Sequence, residues 1–138
     1  NGKMPKEVFM HIFDICHGQT RLILQICARL YADQLECISA GDVDRVLRAV
    51  IDDYDDEYRH FYMNLPARQR NAVMAVGLSE GSNIYSNQIL KELRINKQAL
   101  LKALNALEYA EEIVKTGEGS YRFYELILAL WVKHVLIQ

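Results

Sequence analysis

One predicted helix in the second half of the chain carries polar side chains that could read nucleic acid. Gln98, Lys102, Asn105 and Tyr109 follow one another at intervals of four, three and four residues, so a helix places them on one face. Glutamine and asparagine amides offer the paired donor and acceptor that base edges in the major groove require, and lysine offers a charge to phosphate. An ordinary solvated face or a protein contact is the alternative, because three glutamates towards the end of this helix would repel phosphate.

Two helices and two strands are predicted to hold this face in place. Ser86 can cap a short helix, and residues 94–96 predict a tight turn into the second helix. The side of the second helix opposite the polar face is apolar: Leu100, Ala103, Leu104 and Leu107. Residues 113–115 and 121–123 predict short strands joined by a glycine-bearing turn. Three cations complete the candidate binding residues: Lys97, and Lys115 and Arg122 on the strands. The two strand cations could equally be surface charges on an edge strand.

Two further helices frame this region. A helix is predicted at residues 67–76 after Pro66, followed by a loop at residues 77–83. A last helix begins at Glu125 and runs to an apolar chain end, which we expect to meet a partner surface or a continuation of the chain.

The succession of helix, turn, helix, strand, turn and strand resembles the winged helix-turn-helix found at the C-terminal end of many P-loop ATPases. The resemblance rests on residues 85–89, on residues 103–107, and on residues 121–123 followed by a helix that carries residues 130–132. Signal-transduction ATPases of the AAA+-related STAND class, in archaea and bacteria, and origin-recognition initiators share this layout. Archaeal-type members usually have Asp-Pro after the second strand, where this chain has Tyr-Glu at residues 124–125.

The first half of the chain predicts three amphipathic helices. The first opens at Pro5, and an apolar stripe recurs along it at helical spacing: Val8, Phe9, Ile12, Phe13 and Cys16. The second runs from about Gln19 to about Asp33. Residues 39–42 fit a capping box, with serine at the cap and an acid three residues later, and open the third helix.

Residues 18–21, Gly-Gln-Thr-Arg, resemble the start of a helix in the small lid that follows the nucleotide-binding core of AAA+ and related ATPases. In many such lids an arginine at this place reaches the γ-phosphate of the nucleotide, because a guanidinium is always charged and forks onto phosphate oxygens. The resemblance therefore implies a nucleotide-sensing role for Arg21. The alternative is a helix-start arginine paired with a neighbouring acid such as Asp14.

Composition limits what the chain can be. With 138 residues of which 51% are hydrophobic, it can bury a core and is not a disordered chain. Residues 1–60 hold seven Lys and Arg against eleven Asp and Glu, and residues 61–138 hold nine against seven, so charge permits DNA binding without arguing for it. Three cysteines without a Cys-x-x-Cys motif, no membrane-length apolar run and no signal peptide predict a cytoplasmic protein.

Several kinds of site find no support in the sequence. The acidic run at residues 52–58, which continues the third helix or connects it to the next part, lacks the glycine-bearing spacing of a calcium loop. The histidines and cysteines match no structural zinc module. The chain has no phosphate-binding loop and no nucleophile elbow, so any ATPase activity must lie upstream.

These observations predict a mainly α protein in two parts: a three-helix, lid-like subdomain at residues 1–60 and a winged helix with a small β-hairpin wing at residues 61–138. Because the chain begins at Asn1 without a methionine, we expect it to be part of a longer protein. The resemblance implies no cofactor in this part, and ATP and Mg²⁺ in a parent chain that is an ATPase.

The resemblance also implies a function. Nucleotide state in the upstream ATPase core would move the lid, and the lid would move the winged helix against DNA or a protein partner. A stand-alone winged-helix regulator of transcription or replication that binds DNA is the alternative. The apolar C-terminal helix offers a surface through which two copies of the chain could associate.

Overall fold

The computed structural model describes residues 4–33, 37–80 and 82–137 of the chain, which are mainly helical and include a two-stranded antiparallel sheet. The chain divides into two compact units, Asn1–Tyr54 and Asp55–Gln138. This division lies slightly before the boundary predicted after residue 60. Among the described residues, no helix combines the length and the apolar character needed to cross a membrane.

The first unit contains three helices: α1 at Lys6–Ile15, α2 at Thr20–Ala32 and α3 at Ala40–Asp53. Its core is aliphatic and includes residues from each helix: Val8, Ile12, Cys16, Leu22, Ile26, Leu30, Val43, Val46, Leu47, Val50 and Ile51. The capping box at the start of α3 is confirmed, because Asp42 N–H donates to Ser39 Oγ at 3.2 Å and Ser39 N–H donates to Asp42 Oδ2 at 2.9 Å.

The predicted apolar stripe of α1 is wrong for two of its residues. Phe9 and Phe13 are each 46% exposed, whereas Val8, Ile12 and Cys16 are buried. The buried residues recur every four positions along the helix. Each phenylalanine follows a buried residue directly, so it is turned from that residue by about 100° around the helix axis. The inward stripe of α1 is therefore one residue wide.

The second unit contains the remaining elements in this order: α4 at Asp55–Met63, α5 at Ala67–Ser79, α6 at Asn87–Leu93, α7 at Lys97–Tyr109, β1 at Ile113–Gly117, β2 at Ser120–Phe123, and α8 at Leu126–Trp131, which a π-helical turn at Val132–Leu136 continues. The buried face of α7 and the inward residues of α5 form much of its core.

The acidic run is divided between the units, since α3 ends at Asp53 and α4 begins at Asp55. Tyr58 and Tyr62 of α4 pack against Trp131, with ring centroids 5.7 Å and 6.5 Å away. Trp131 Nε1 donates to Asp55 Oδ1 at 2.9 Å, and Tyr58 Oη donates to Glu125 at 3.0 Å. These contacts attach α4 to α8 and explain why the second unit begins before residue 60.

The end of α5 corrects the predicted loop at residues 77–83. The helix continues to Ser79 and includes Gly77, although glycine is a poor helix former. A Cβ at Gly77 would lie 2.6 Å from Ile137 Cδ1 and 2.8 Å from Val132 Cγ1. The absence of a side chain therefore lets the end of the chain approach α5, and part of the apolar terminus is covered inside its own unit.

Candidate functional site

The connection between α6 and α7 fixes the direction of the candidate binding helix. Ser86 Oγ accepts a hydrogen bond from Ile89 N–H at 3.3 Å, which confirms the predicted cap of α6. Arg94 ends α6 in the left-handed region at φ +54°. Asn96 Oδ1 then accepts from Ala99 N–H at 2.7 Å and caps α7. The turn at residues 94–96 is therefore confirmed.

Helix α7 has the two faces that its sequence predicted. Its apolar stripe is buried: Leu100, Ala103, Leu104 and Leu107. The predicted polar face is exposed along its whole length: Gln98, Lys102, Asn105 and Tyr109. The Tyr109 side chain is 92% exposed, so it contributes nothing to the core and is available to a partner.

Charge runs along α7 in the direction that a helix dipole disfavours. Lys97 is the first residue of the helix, where the dipole is positive, and Glu108 lies in its last turn, where the dipole is negative, while Lys102 lies near the middle. Glu111 and Glu112 follow the helix end. Helices usually carry the opposite arrangement, and sequences tend to break such local rules at functional sites. The arrangement concentrates positive potential at the N-terminal half of the exposed face.

Gln98→Glu tests whether this charge order serves binding at the expense of stability. Gln98 is exposed in the first turn of α7, so the new carboxylate would meet the positive end of the helix dipole. We expect the free energy of unfolding to rise by about 0.3–1 kcal/mol while affinity for duplex DNA falls. Urea denaturation and a DNA titration measure the two effects, and Gln98→Ala, which adds no charge, is the control. A variant that is less stable and binds as before would contradict this account.

The β-hairpin is fixed to the loop that precedes α6. Strand β1 pairs with β2 in antiparallel register, Ile113 opposite Phe123 and Lys115 opposite Tyr121. Ile84 N–H donates to the carbonyl of Gly119 in the hairpin turn at 2.9 Å. Gly119 has φ +66°, and a Cβ there would lie 2.8 Å from a side-chain oxygen of the same loop. The hairpin is therefore held at its tip as well as at its base.

An open cleft of about 670 Å³ separates the hairpin from the start of α7, and its lining includes Asn83, Tyr85, Lys97, Leu101, Lys115, Glu118 and Tyr121. Lys97 Nζ lies 5.2 Å from the centroid of the Tyr85 ring, which is cation–π geometry. Burial, together with a hydrogen bond to the Tyr121 side chain, raises the pKa of Tyr85 well above its ordinary value. Lys115 Nζ lies 3.6 Å from the Glu118 carboxylate.

The predicted binding residues therefore fall into separate groups. Lys97 and Lys115 share the hairpin cleft, whereas Lys102 lines a smaller apolar cleft with Arg68, between α7 and the start of α5. Arg122 is exposed on β2, and its guanidinium donates to the carbonyl of Phe123 at 3.4 Å. Spacing along one helix predicted the outer face of α7. It could not predict the clefts, because their walls come from distant parts of the chain.

Arg21 lies in the first turn of α2 and is exposed. That turn contains no acidic residue, and Arg21 makes no ion pair with any residue that the structure describes, Asp14 included. The alternative pairing with Asp14 is therefore not seen, and the guanidinium is open to an external anion. In the described part of the chain, no three side chains of His, Cys, Asp or Glu are arranged to hold a metal ion.

Comparisons with known proteins add no family assignment. No protein-family model matches the chain, and no match to it was found among curated proteins or solved structures.

Proposed function

We propose that residues 55–138 are a winged helix-turn-helix that binds duplex DNA through α7, within the C-terminal regulatory region of a P-loop ATPase. The observation that carries this proposal is the exposed polar face of α7, whose basic N-terminal half runs against the charge order that the helix itself prefers. A face that serves only solubility gains nothing from this destabilising charge order, whereas a face that binds phosphate gains affinity from its basic residues.

The dimensions of α7 suit this role. A helix with its side chains is about 10–12 Å across, and the major groove is about 12 Å wide. Gln98 and Asn105 are seven residues apart, so they lie about 10.5 Å apart along the helix axis at roughly 1.5 Å per residue. Base pairs are stacked about 3.4 Å apart, so these two amides can reach edges about three base steps from one another.

Fluorescence anisotropy of a labelled duplex, titrated with the whole chain, tests the proposal. We expect three phosphate contacts, by Lys97, Lys102 and Lys115. With three contacts, raising the salt concentration from about 50 to about 200 mM should weaken binding about 40-fold. A single strand of the same sequence is the control, because it offers no major groove, and it should bind more weakly. Absence of duplex binding at the lower salt would overturn the proposal.

A protein partner is the second candidate, and the C-terminal half of α7 favours it. Tyr109 is 92% exposed beside Glu108 and Glu111. An exposed aromatic side chain among acids suits a basic protein surface better than phosphate. In that case Tyr109→Ala would weaken binding of the upstream part of the parent chain, measured by calorimetry, and Lys102→Ala would not.

For residues 1–54 we propose a lid that couples to the ATPase core, with Arg21 as the residue that senses the nucleotide and with ATP and Mg²⁺ held upstream. The proposal rests on the resemblance at residues 18–21 and is supported by the exposure of Arg21 in an acid-free first turn. The positive end of the α2 dipole lies at the same place and adds to the attraction of an anion.

Arg21→Ala in the parent chain is expected to lower ATP turnover by about tenfold or more, because a hydrogen bond to a charged group contributes about 1.5–3 kcal/mol. Thermal melting of the shorter chain should hardly change, since the side chain is exposed. Arg48→Ala is the matched control, an exposed arginine on α3. Turnover equal to that of the control variant would refute the sensing role.

A further inference from the structure

The cleft between the β-hairpin and α7 holds two cations in different electrostatic states. Lys97 carries its charge over the face of Tyr85 and makes no ion pair with an acid in the described part of the chain. Lys115 is neutralised in part by Glu118 at 3.6 Å. The cleft therefore carries two positive charges and one negative charge around a space of about 670 Å³.

Tyr85 is built to hold the first of these cations. The Tyr85 side chain is half-buried near the buried Tyr121, which contributes to its raised pKa, and the backbone N–H of Tyr85 donates to Asn83 Oδ1 at 3.0 Å. A half-buried ring on a hydrogen-bonded backbone has few orientations and presents its negative face to the Lys97 ammonium. The free lysine side chain would otherwise sample many rotamers, and this contact reduces the entropy lost when Lys97 binds an anion.

Glu118 is held much less firmly. It lies at the hairpin turn, its side chain is 99% exposed, and its ion pair with Lys115 is exposed to solvent. Exposed ion pairs of this kind contribute little to stability. An anion that binds both lysines can therefore displace the glutamate at small cost.

We infer that this cleft is a phosphate-binding subsite for the DNA backbone, in which Tyr85 positions Lys97 and Glu118 is the counter-ion that the phosphate displaces from Lys115. The inference rests on the proposed DNA-binding function and deepens it. Glu118 lowers the affinity for DNA, so the hairpin restrains binding electrostatically until a phosphate enters the cleft. Binding then exchanges one carboxylate for one phosphodiester at Lys115.

Glu118→Gln is the decisive variant, because an almost fully exposed side chain can be changed without disturbing the fold. Removing one negative charge roughly 5 Å from a phosphate in water should tighten duplex binding about fourfold. The dependence of binding on salt should also become steeper, by up to about 0.9 in the log–log slope, because the wild-type Glu118 carboxylate, once displaced from Lys115, takes up a cation that offsets part of the counter-ion release. Glu57→Gln, which removes the same charge from the exposed face of α4, is the matched control.

The positioning role of Tyr85 has its own readout. Tyr85→Phe keeps the ring under Lys97 and should keep DNA affinity, whereas Tyr85→Leu should lower it. In the background of Lys97→Ala, Tyr85→Leu should have no further effect on affinity. If Tyr85→Leu instead acted by a general loss of structure, it would lower affinity in this background too.

The outcomes separate the two proposals. If the wild-type chain binds no duplex, the proposed function fails and the phosphate subsite fails with it. If the chain binds duplex and Glu118→Gln behaves like Glu57→Gln, the subsite is wrong and the binding role of α7 stands. If Glu118→Gln tightens binding and Tyr85→Leu acts independently of Lys97, then Tyr85 does not position that lysine.

Discussion

Replacement of Trp131 with alanine is expected to lower the free energy of unfolding of the second unit by about 3–5 kcal/mol. Trp131 is fully buried, and Tyr58 and Tyr62 pack against its ring. It also satisfies its indole N–H with Asp55 at 2.9 Å. Truncation removes the largest buried side chain of the unit and the contacts that join α4 to α8. Urea denaturation, with hydrogen exchange resolved by peptide, should show the loss in residues 55–138.

Trp131→Phe separates the packing of the ring from its hydrogen bond. The hydrogen bond from Trp131, followed by that from Arg59, lowers the pKa of Asp55. A carboxyl whose folded pKa is depressed stabilises the fold above its unfolded pKa, about 3.9, and this stabilisation is lost as pH falls through the folded value. Without the indole donor the depression is smaller, so the stability of Trp131→Phe should fall less steeply below about pH 4 than that of the wild type.

Two results would contradict this account of Trp131. Unchanged hydrogen exchange in α4 after Trp131→Ala would mean that the tyrosine contacts do not hold that helix. An acid unfolding profile of Trp131→Phe parallel to that of the wild type would mean that the Asp55 hydrogen bond contributes nothing. Leu30→Ala, in the core of the first unit, is the control for truncation of a buried side chain elsewhere.

Lys102→Glu is expected to weaken duplex binding by about tenfold or more at roughly 0.1 M salt, and to lower the log–log salt slope by about 0.9 or more. Lys102 is exposed at the centre of the polar face of α7, so the reversal removes one phosphate contact and adds repulsion. Stability should change little, because Lys102 is exposed and forms no ion pair with any described residue. Anisotropy titrations at several salt concentrations measure both quantities.

Lys133→Glu is the matched control, since it makes the same change of net charge on the exposed side of the C-terminal π-helical turn. Equal losses in the two variants would show that only overall charge matters and that α7 does not enter the groove. A loss of affinity in Lys102→Glu but not in Lys133→Glu would place α7 against the DNA. A similar loss of affinity in Asn105→Ala that does not depend on salt would then identify the Asn105 amide as a base contact.

The sequence predicted helices and strands best where the deciding residues lie within a few positions of one another. The caps at Ser39, Ser86 and Asn96 and the apolar stripe of α7 could be read directly, because a cap and a helical period involve residues within a few positions of one another. The strands around Gly119 could be read for the same reason.

The errors lie where a distant segment decides. Residues 77–79 were predicted in a loop but continue α5, where Gly77 leaves the space that Ile137 occupies. The acidic run was predicted either to continue the third helix or to connect it to the next part, and Trp131 fixes the start of α4 within it from more than seventy residues away. Phe9 and Phe13 recur at helical spacing as predicted, but they lie on an exposed side of α1 instead of the buried one.

The sequence by itself determined that the chain is mainly helical, where helices such as α3, α6 and α7 begin, and which side chains of α7 face outwards, since each of these depends on neighbours along the chain. Only the tertiary structure decided that Lys97 and Lys115 share a cleft, that Tyr85 supports one and Glu118 restrains the other, and that Lys102 lies apart from them. The reason is physical: the cleft forms where α7, the loop before α6 and the hairpin meet, and no period along the chain encodes that meeting.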